Sequence, residues 1–333
     1  MKTGILLINL GTPTEPTPVA VRTYLREFLS DPYVVEIPRP IWWVILNLFI
    51  LPRRGKDAAA RYASVWTKEG SPLRVHTEAQ TRFLRGYLGE NKRADMAVEY
   101  AMRYGEPSIE SQLIVFKEKN INRLVLLPLY PQYSKSSTGT VLNAATAAMK
   151  KLNYHPEVTP IEHFFDHAGY IQALANSVIE YRTRAAGHPN VLVMSFHGVP
   201  QYTIDRGEPY QQQCIATGQL LAKALNLGEH QYRICFQSRF GPAQWIKPYT
   251  TDVLTELGKA KTPRVTPALI RPHQFLRYLP PVQQPVRERR HLSRYRRAEP
   301  RPLLQLRPLL AQDRQRLRLT VKNQNLEIGR AHV

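Results

Sequence analysis

The sequence has 333 residues, of which 43% are hydrophobic, and it carries a formal net charge of +20 with only two cysteines. This length and hydrophobic content indicate one large globular domain or two smaller ones and exclude a wholly disordered chain. Two cysteines, Cys214 and Cys235, cannot build a disulfide framework, so we expect a reducing compartment rather than a disulfide-stapled secreted protein.

The positive charge is concentrated at one end of the chain. Residues 262–333 contain 15 Arg and one Lys against four acidic residues, whereas residues 1–261 contain 30 basic and 22 acidic residues. The tail also lacks the interleaved aromatic residues that stack on bases in nucleic-acid-binding proteins. We therefore expect no nucleic-acid partner for the body of the protein.

Short apolar runs alternate along the chain with amphipathic segments. The runs stop at turn signals and predict buried strands over Gly4–Leu10, Arg123–Leu129, Asn190–Phe196 and Gln231–Gln237. Apolar residues at three- and four-residue spacing predict helices over Pro18–Leu29, Thr77–Leu88, Ile109–Lys119, Thr140–Leu152, Ala168–Ala185 and Pro209–Leu225. This alternation predicts an α/β fold with parallel sheets, arranged as two doubly wound, Rossmann-like lobes with a cleft between them.

The longest apolar stretch, Ile41–Leu51, has about half of the ~20 residues that a transmembrane helix needs. It ends at Pro52 and is followed by Arg53 and Arg54, a pattern typical of a helix seated in a lipid interface. A fully buried helix is the alternative. With no signal-peptide core at the start of the sequence, we expect a cytoplasmic protein that touches the inner face of the membrane through residues 41–54.

The α/β pattern breaks near Lys261. We place the first lobe in residues 1–150, with an apolar lip at 41–52, the second in residues 151–261, and a basic tail in residues 262–333. The tail holds nine Pro and 15 Arg without helical or strand periodicity. One interpretation is a disordered tail that binds nucleic acid or acidic lipid.

A shifted reading frame is the second interpretation of the tail, and we favour it. Arg- and Pro-rich sequence with few acidic residues is what a GC-rich gene yields out of frame, and residues Glu327–Val333 resemble a translated sequencing adapter. This hypothesis predicts that the correct frame restores α/β sequence after about Lys261. Sequencing the source DNA across codons 255 to 333 tests it directly.

His197 is the strongest candidate for chemistry. It follows the predicted strand that ends at Phe196 and precedes Gly198 and Pro200, which force a turn. Ligands of open α/β sheets bind at this carboxyl end of the strands. An imidazole there can accept a proton or ligate a metal near neutral pH, although a histidine that only satisfies a backbone carbonyl is the alternative.

Seven segments, in order, resemble the ferrochelatase family over most of the first 250 residues. They are Gly4–Pro13, Phe28–Pro32, Gly70–Leu73, Ala101–Gly105, Leu127–Gly139, Ser195–Pro200, and Phe236–Gly241 with Trp245 and Pro248. Members of this family are lyases that insert ferrous iron into protoporphyrin IX to form protohaem. The resemblance implies porphyrin and Fe²⁺ as substrates and no tightly bound cofactor. Since the tail has no cysteine, no iron–sulfur cluster is implied.

The resemblance also implies roles for particular residues. His197 would accept the pyrrole protons or hold the iron transiently. Arg103 and Tyr104 would hold the macrocycle, although Arg103 could instead pair with a carboxylate inside the fold. The remaining porphyrin contacts implied are Tyr130 and Ser134 below the ring, Leu10 on the opening strand, and Trp42 and Trp43 in the lip.

One catalytic group of the family has no counterpart in this sequence. Family members carry a second acid, a glutamate on a segment that follows a further strand. That segment should begin near Arg264, but Pro267–Pro272 does not continue the family's pattern, and neither Glu288 nor another residue of the tail fits the position. We therefore expect the chain as written to be weakly active or unstable.

Four alternatives remain beside a protoporphyrin ferrochelatase. Within the same fold these are a coproporphyrin ferrochelatase and a cobalt chelatase. From other classes they are a porphyrin carrier without catalytic activity and a basic nucleic-acid-binding protein, which only the tail supports. The apolar pair Trp42 and Trp43 favours the less polar protoporphyrin as the substrate.

Overall fold

A computed structural model describes residues 2–91, 95–184, 191–239, 241–262 and 265–269. Its strands form two parallel sheets. The first sheet has the order β2-β1-β3-β4 and contains β1 (Thr3–Gly11), β2 (Met96–Tyr104), β3 (Arg123–Pro128) and β4 (Glu157–Pro160). The second sheet has the order β6-β5-β7 and contains β5 (Val191–His197), β6 (Tyr232–Gln237) and β7 (Val265–Leu269).

Helices connect these strands and cover the sheets. They are α1 (Pro18–Leu29), α2 (Arg39–Val44), α3 (Leu51–Val65), α4 (Pro72–Glu90), α5 (Ile109–Glu118), α6 (Thr140–Lys151), α7 (Ala168–Arg184), α8 (Gln201–Asp205), α9 (Tyr210–Ala224) and α10 (Thr250–Lys259). Two π-helical segments, Ile45–Ile50 and Lys135–Gly139, and a 3₁₀ turn at Glu229–Gln231 complete the described elements.

Both faces of the first sheet are buried under helices. Successive side chains of a strand point to opposite faces. Leu6 of β1 therefore packs with Leu113 of α5 and Val141 of α6, whereas Leu7 packs on the other face with Leu84 of α4. An almost continuous apolar strand is the sequence signature of a sheet covered in this way.

The second sheet is built on the same plan. Met194 of β5 lies in a core with Leu174 of α7 and Leu221 of α9, while its neighbour Val193 packs with Val253 of α10 on the opposite face. The structure thus confirms the predicted α/β class with two doubly wound, parallel-sheet lobes.

Each sheet extends beyond the lobe boundary expected from the sequence. The first sheet includes β4, in which Glu157 pairs with Arg123 of β3, so this lobe continues past residue 150. The second includes β7, in which Val265 pairs with Val191 of β5, so this lobe continues past residue 261. Pro267 fits because, among the described strands, β7 lies at the edge of its sheet, where a missing N–H is tolerated.

Residues 270–333 lie outside the described residues. The two interpretations of the tail, and the predicted lack of the family's glutamate, therefore remain predictions. The described part of the second lobe shows only that ordinary α/β structure continues eight residues beyond Lys261, to Leu269.

The predicted apolar stretch forms one continuous helical segment from α2 through the π-helical turn into α3, which ends at Val65. Its two adjacent tryptophans differ in exposure, since Trp42 is buried and Trp43 is 63% exposed. The Trp42 indole donates from Nε1 to the Leu29 carbonyl at 2.6 Å. The segment also exposes four aliphatic or aromatic neighbours, Ile41, Val44, Leu48 and Phe49. Among the described helices, none combines the length and the apolarity that crossing a membrane requires.

Candidate active site

His197 is the last residue of β5 and stands exposed at the carboxyl end of the second sheet. Its Nδ1 lies 2.7 Å from the carbonyl oxygen of Gly198. Because a carbonyl can only accept, Nδ1 must carry the proton of this hydrogen bond. In the neutral ring the lone pair then resides on Nε2, which makes Nε2 the atom that can accept a proton or coordinate a metal.

The surroundings of His197 fix both its backbone and its ring. The hydroxyl of Tyr210 donates to the His197 carbonyl at 2.9 Å, and the ring of Trp245 lies 6.4 Å from the imidazole, centroid to centroid. Gly198 is required here by close packing, since a Cβ at this position would lie 2.9 Å from the Gln237 carbonyl oxygen and 3.2 Å from the Trp245 ring. A larger residue would displace the indole from the imidazole.

A buried polar cluster lies at the carboxyl end of β2 in the first sheet. Asp31 accepts at Oδ2 from the Arg103 guanidinium at 2.6 Å, from the Tyr104 hydroxyl at 2.8 Å and from the Thr140 hydroxyl at 2.5 Å. Its Oδ1 accepts from the backbone N–H of Tyr33 at 2.8 Å. The Arg103 guanidinium also donates from Nε to Thr140 Oγ1 at 2.8 Å and lies 4.5 Å from the Tyr104 ring centroid.

These contacts decide the ionisation of the cluster. Burial raises the pKa of Asp31, but the hydrogen bonds from Thr140, Tyr33 and Tyr104 and the charge of Arg103 outweigh it and leave the pKa below its ordinary value. Asp31 is therefore a carboxylate, and Arg103 pairs with a carboxylate inside the fold, which is the alternative that the sequence left open. Within the described residues, Nη1 of Arg103 makes no hydrogen bond.

A cleft of about 300 Å³ lies between the two lobes. Residues that follow β3 in the first lobe and β5 in the second line it, together with the segment before α2: Glu36, Tyr133, Lys135, Thr203, Arg206, Gly207, Glu208 and Pro209. On its wall the Ser134 hydroxyl donates to Glu208 Oε2 at 3.1 Å. Burial raises the pKa of Glu208, and the hydrogen bonds from Ser134 and the Lys135 backbone oppose that shift.

The cleft wall connects the predicted floor of the first lobe to the histidine of the second. Ser134 contacts Glu208, and Tyr210, two residues further along the chain, holds the His197 carbonyl. Deeper in the interface, Gln132 donates to Thr217 at 2.9 Å and the backbone N–H of Tyr133 donates to Gln213 at 2.7 Å. The carboxyl ends of the two sheets therefore meet at one interface.

The structure places four of the implied porphyrin contacts wholly or partly inside the protein, and their contact with the macrocycle stays a prediction. Tyr104 is completely buried, and Trp42 and Ser134 are buried with their polar atoms hydrogen-bonded within the protein. The hydroxyl of Tyr130 is also buried, and burial raises its pKa.

Leu10 and Trp43 do reach the surface, and Arg103 does so in part. Leu10 is partly exposed near the end of β1. The next residue, Gly11, adopts a φ of +114° and packs against the Tyr104 carbonyl. A Cβ at Gly11 would lie 1.9 Å from that carbonyl oxygen. Only glycine fits this backbone. The loop that carries Leu10 is thus held against the end of β2.

The sequence pattern gave no role to Asp31, Thr140, Glu208 or Glu36. Asp31 lies in the segment Phe28–Pro32, which resembles the family but gives its carboxylate no role. An acidic residue between Ser30 and Pro32 is a weak signal for a buried carboxylate. Glu36 pairs with Arg206 of the other lobe, and Glu208 accepts from Ser134 of the other lobe, so no local pattern could have found these contacts.

Neither thiol of the chain is exposed or readily ionised. Cys214 and Cys235 are completely buried, and burial raises the pKa of each. In the ranges that the structure describes, no group of three or more His, Cys, Asp or Glu side chains could hold a metal ion.

Two doubly wound parallel sheets that meet at their carboxyl ends, with an imidazole at one strand end, define an α/β protein that binds a ligand between its lobes and can move a proton. The sequence profile of the ferrochelatase family matches residues 2–270 of the chain. Over 264 residues the chain is 55% identical to the ferrochelatase of Chromobacterium violaceum, an alignment that covers 79% of this chain and 72% of that protein.

Two further relatives agree. The ferrochelatases of Herminiimonas arsenicoxydans and Nitrosomonas europaea are 51% and 49% identical over 264 residues, covering 79% of this chain and 71% and 72% of those proteins. The chain therefore belongs to the ferrochelatase family, the lyases that insert ferrous iron into porphyrin in haem biosynthesis. Among solved structures, SirB from Bacillus subtilis with Fe3+ aligns with 84% of this chain and 94% of its own at 12% identity and a TM-score of 0.43. The family assignment does not depend on that distant likeness.

Proposed function

We propose that this chain binds protoporphyrin between its two lobes and inserts Fe²⁺, with Nε2 of His197 accepting a pyrrole proton. The observation that carries the proposal is the geometry of His197, whose Nδ1–H is committed to the Gly198 carbonyl at the carboxyl end of β5. That bond directs the basic lone pair to Nε2.

The chemistry of the substrate explains why a base is needed. A free porphyrin carries two inner N–H protons, and iron enters only when both leave, so one porphyrin and one Fe²⁺ yield one haem and two protons. A histidine accepts such protons efficiently because its ordinary pKa of about 6.5 lies near the working pH. Iron is a substrate here, and we propose that no resident cofactor or iron–sulfur cluster takes part.

The first lobe supplies the other half of the proposed site. Arg103 is held by Asp31 and Thr140, which leaves Nη1 as the donor for a polar edge of the macrocycle. Because Asp31 neutralises the guanidinium, we expect Arg103 to orient the porphyrin by hydrogen bonding more than to attract it by charge.

A matched pair of histidine variants tests the proposal. In anaerobic assays with Fe²⁺ and protoporphyrin, His197→Ala should lower the rate of haem formation by about 10²- to 10⁴-fold, the usual contribution of a general base. His155→Ala is the control, because His155 is an exposed histidine whose ring forms a hydrogen bond of 2.8 Å with the Asn153 side chain.

Measuring porphyrin binding alongside turnover distinguishes four outcomes. Binding with no turnover in the parent chain would indicate a carrier. Turnover that is weak in the parent chain and lost in His197→Ala is the expected result, given the predicted lack of the family's glutamate. Equal turnover in His197→Ala and His155→Ala would overturn the role of His197, and robust iron insertion would contradict the predicted weakness.

We further propose that the exposed lip rests on a membrane surface on the cytoplasmic side. The lip places Ile41, Trp43, Leu48 and Phe49 in solvent, and Arg53 lies 5.7 Å from the Phe49 ring. Apolar side chains beside cations suit the headgroup region of an anionic bilayer.

Vesicle sedimentation measures this contact. Trp43→Ala should lower binding to vesicles of anionic phospholipid about three- to tenfold, since an interfacial indole contributes on the order of 1 kcal/mol or more. Tyr87→Ala, at an aromatic residue that is 49% exposed on α4, is the control and should bind like the parent chain. Equal binding by both variants would place the lip away from the bilayer.

A further inference from the structure

Glu36 precedes the lip, residues 41–52, in the chain and contacts the second lobe. It lies in the loop between α1 and α2, three residues before the first residue of α2. Its Oε1 pairs with Lys135 Nζ at 2.9 Å, and its Oε2 pairs with Arg206. Lys135 follows β3 in the first lobe, and Arg206 follows α8 in the second. One carboxylate thus holds a cation from each lobe.

Both cations are oriented by an aromatic ring of their own lobe. Lys135 Nζ lies 5.6 Å from the Tyr33 ring centroid, and the Arg206 guanidinium lies 4.9 Å from that of Tyr202. Such stacking limits the positions that a long basic side chain explores. Each cation is therefore positioned near Glu36 by its own lobe and not by the carboxylate alone.

The three charges line the cleft between the lobes together with Glu208, which accepts a hydrogen bond from Ser134. Two further contacts between the lobes differ in character. Gln132 with Thr217 and Tyr133 with Gln213 are buried or half-buried hydrogen bonds. The contacts of Glu36 lie at the rim, since the side chains of Lys135 and Arg206 are 47% and 66% exposed.

We propose that Glu36 is a positioning residue that sets how far the cleft opens. Its ion pairs tie the loop before the lip, and the loop that carries Lys135, to the second lobe. This inference rests on the proposed function, in that the ligand admitted by the cleft is the porphyrin. A tie of exposed charges is weak and screened by salt. It therefore lets the lobes separate for binding and release while the buried hydrogen bonds keep them joined.

Glu36→Gln tests the role with the shape of the side chain preserved. Exposed ion pairs are individually weak, so we expect the rate of porphyrin dissociation and the KM for porphyrin to rise about two- to tenfold, with kcat changing less than twofold. Salt should speed dissociation from the parent chain and have less effect on Glu36→Gln. The control is Glu157→Gln, which removes a 3.1 Å pair with Arg123 inside the first sheet and should leave all three quantities unchanged.

Charge reversal sharpens the test. Glu36→Arg should release porphyrin faster than Glu36→Gln, and adding Arg206→Glu to Glu36→Arg should recover part of the loss. A purely local role for Glu36 would show no recovery, and equal porphyrin dissociation rates in the parent chain and Glu36→Gln would overturn the proposal.

Hydrogen exchange of the ligand-free full chain separates this inference from the proposed function. Glu36→Gln should increase amide exchange in peptides covering residues 31–50 and 199–210 and leave peptides covering β1 and β5 unchanged. If the parent chain fails to bind porphyrin, the proposed function fails, while faster exchange in these two segments still establishes the tie. Unchanged exchange in both segments would overturn the tie itself.

Discussion

The carboxyl ends of β2 and β5 each carry a polar group of the proposed site, and the two groups differ in exposure. At the end of β2, Arg103 is largely buried, with an 18% exposed side chain against a carboxylate, Asp31, that is 3% exposed. At the end of β5, His197 is exposed, its ring donates to the Gly198 carbonyl, and Tyr210 holds its backbone.

The difference in exposure separates the proposed structural role of Arg103 and Asp31 from the proposed chemical role of His197. A buried ion pair with additional hydrogen bonds fixes geometry, and removing one partner leaves an uncompensated charge. An exposed imidazole can change its protonation state at little cost to the fold. In the proposed mechanism, the first sheet therefore provides the rigid wall of the site, and the second provides the reactive group.

Among the variants that test this comparison, Asp31→Ala should have the largest effect on stability. The substitution leaves Arg103 buried without its carboxylate, and we expect the free energy of unfolding to fall by about 3–5 kcal/mol. Urea denaturation followed by circular dichroism measures it. His197→Ala should lose less than about 1 kcal/mol in the same experiment, since its side chain is exposed.

A double replacement sharpens the same comparison. Asp31→Leu combined with Arg103→Met removes both charges and keeps apolar volume, so its loss of stability should be smaller than that of Asp31→Ala. If the double variant is as unstable as the single one, the hydrogen bonds of Tyr104 and Thr140 to Asp31 matter more than the ion pair does.

The lip repeats the contrast on a smaller scale in two adjacent tryptophans. Trp42→Phe removes the donor to the Leu29 carbonyl in a buried position, which should cost about 1–3 kcal/mol. Trp43→Phe changes an exposed side chain and should stay within about 0.5 kcal/mol of the parent chain. Equal losses in urea denaturation would show that Trp43 also contributes to the core.

The smallest expected effect is a change in the stability of the chain with acid. Since the pKa of Asp31 is lower in the folded protein than its ordinary value, its stabilisation is fully present above that ordinary value, about 4, and is lost as the pH falls through the folded pKa. The stability difference between the parent chain and Asp31→Asn should therefore shrink below about pH 4. A difference that stays constant down to pH 2 would contradict this role of the carboxylate.

The elements that the sequence predicted best are those with strong local signals. The bounds of α1 agree with the prediction because Pro18 opens the helix and the Thr17 hydroxyl accepts from the Ala20 N–H. β2 was not predicted, since Glu99 and Arg103 interrupt its apolar run. β7 was only partly anticipated because Pro267 argues against a strand everywhere but at a sheet edge.

The site could be predicted only where one segment carries it. His197 at a strand end follows from local sequence, because Gly198 and Pro200 end the strand. The burial of Tyr104 and the difference between Trp42 and Trp43 depend on packing against distant residues such as Phe28 and Leu29. The ties between the lobes join residues up to 170 positions apart, which no periodicity reveals.

The burial of Cys214 and Cys235 has a practical consequence. These are the chain's two cysteines, and neither thiol reaches solvent or ionises readily, so maleimide reagents should leave the folded protein unmodified. A cysteine placed on the exposed face of the lip or beside Arg206 would then be the single labelling position. Fluorophores attached there would let the separation of the lobes be followed in real time as a ligand arrives.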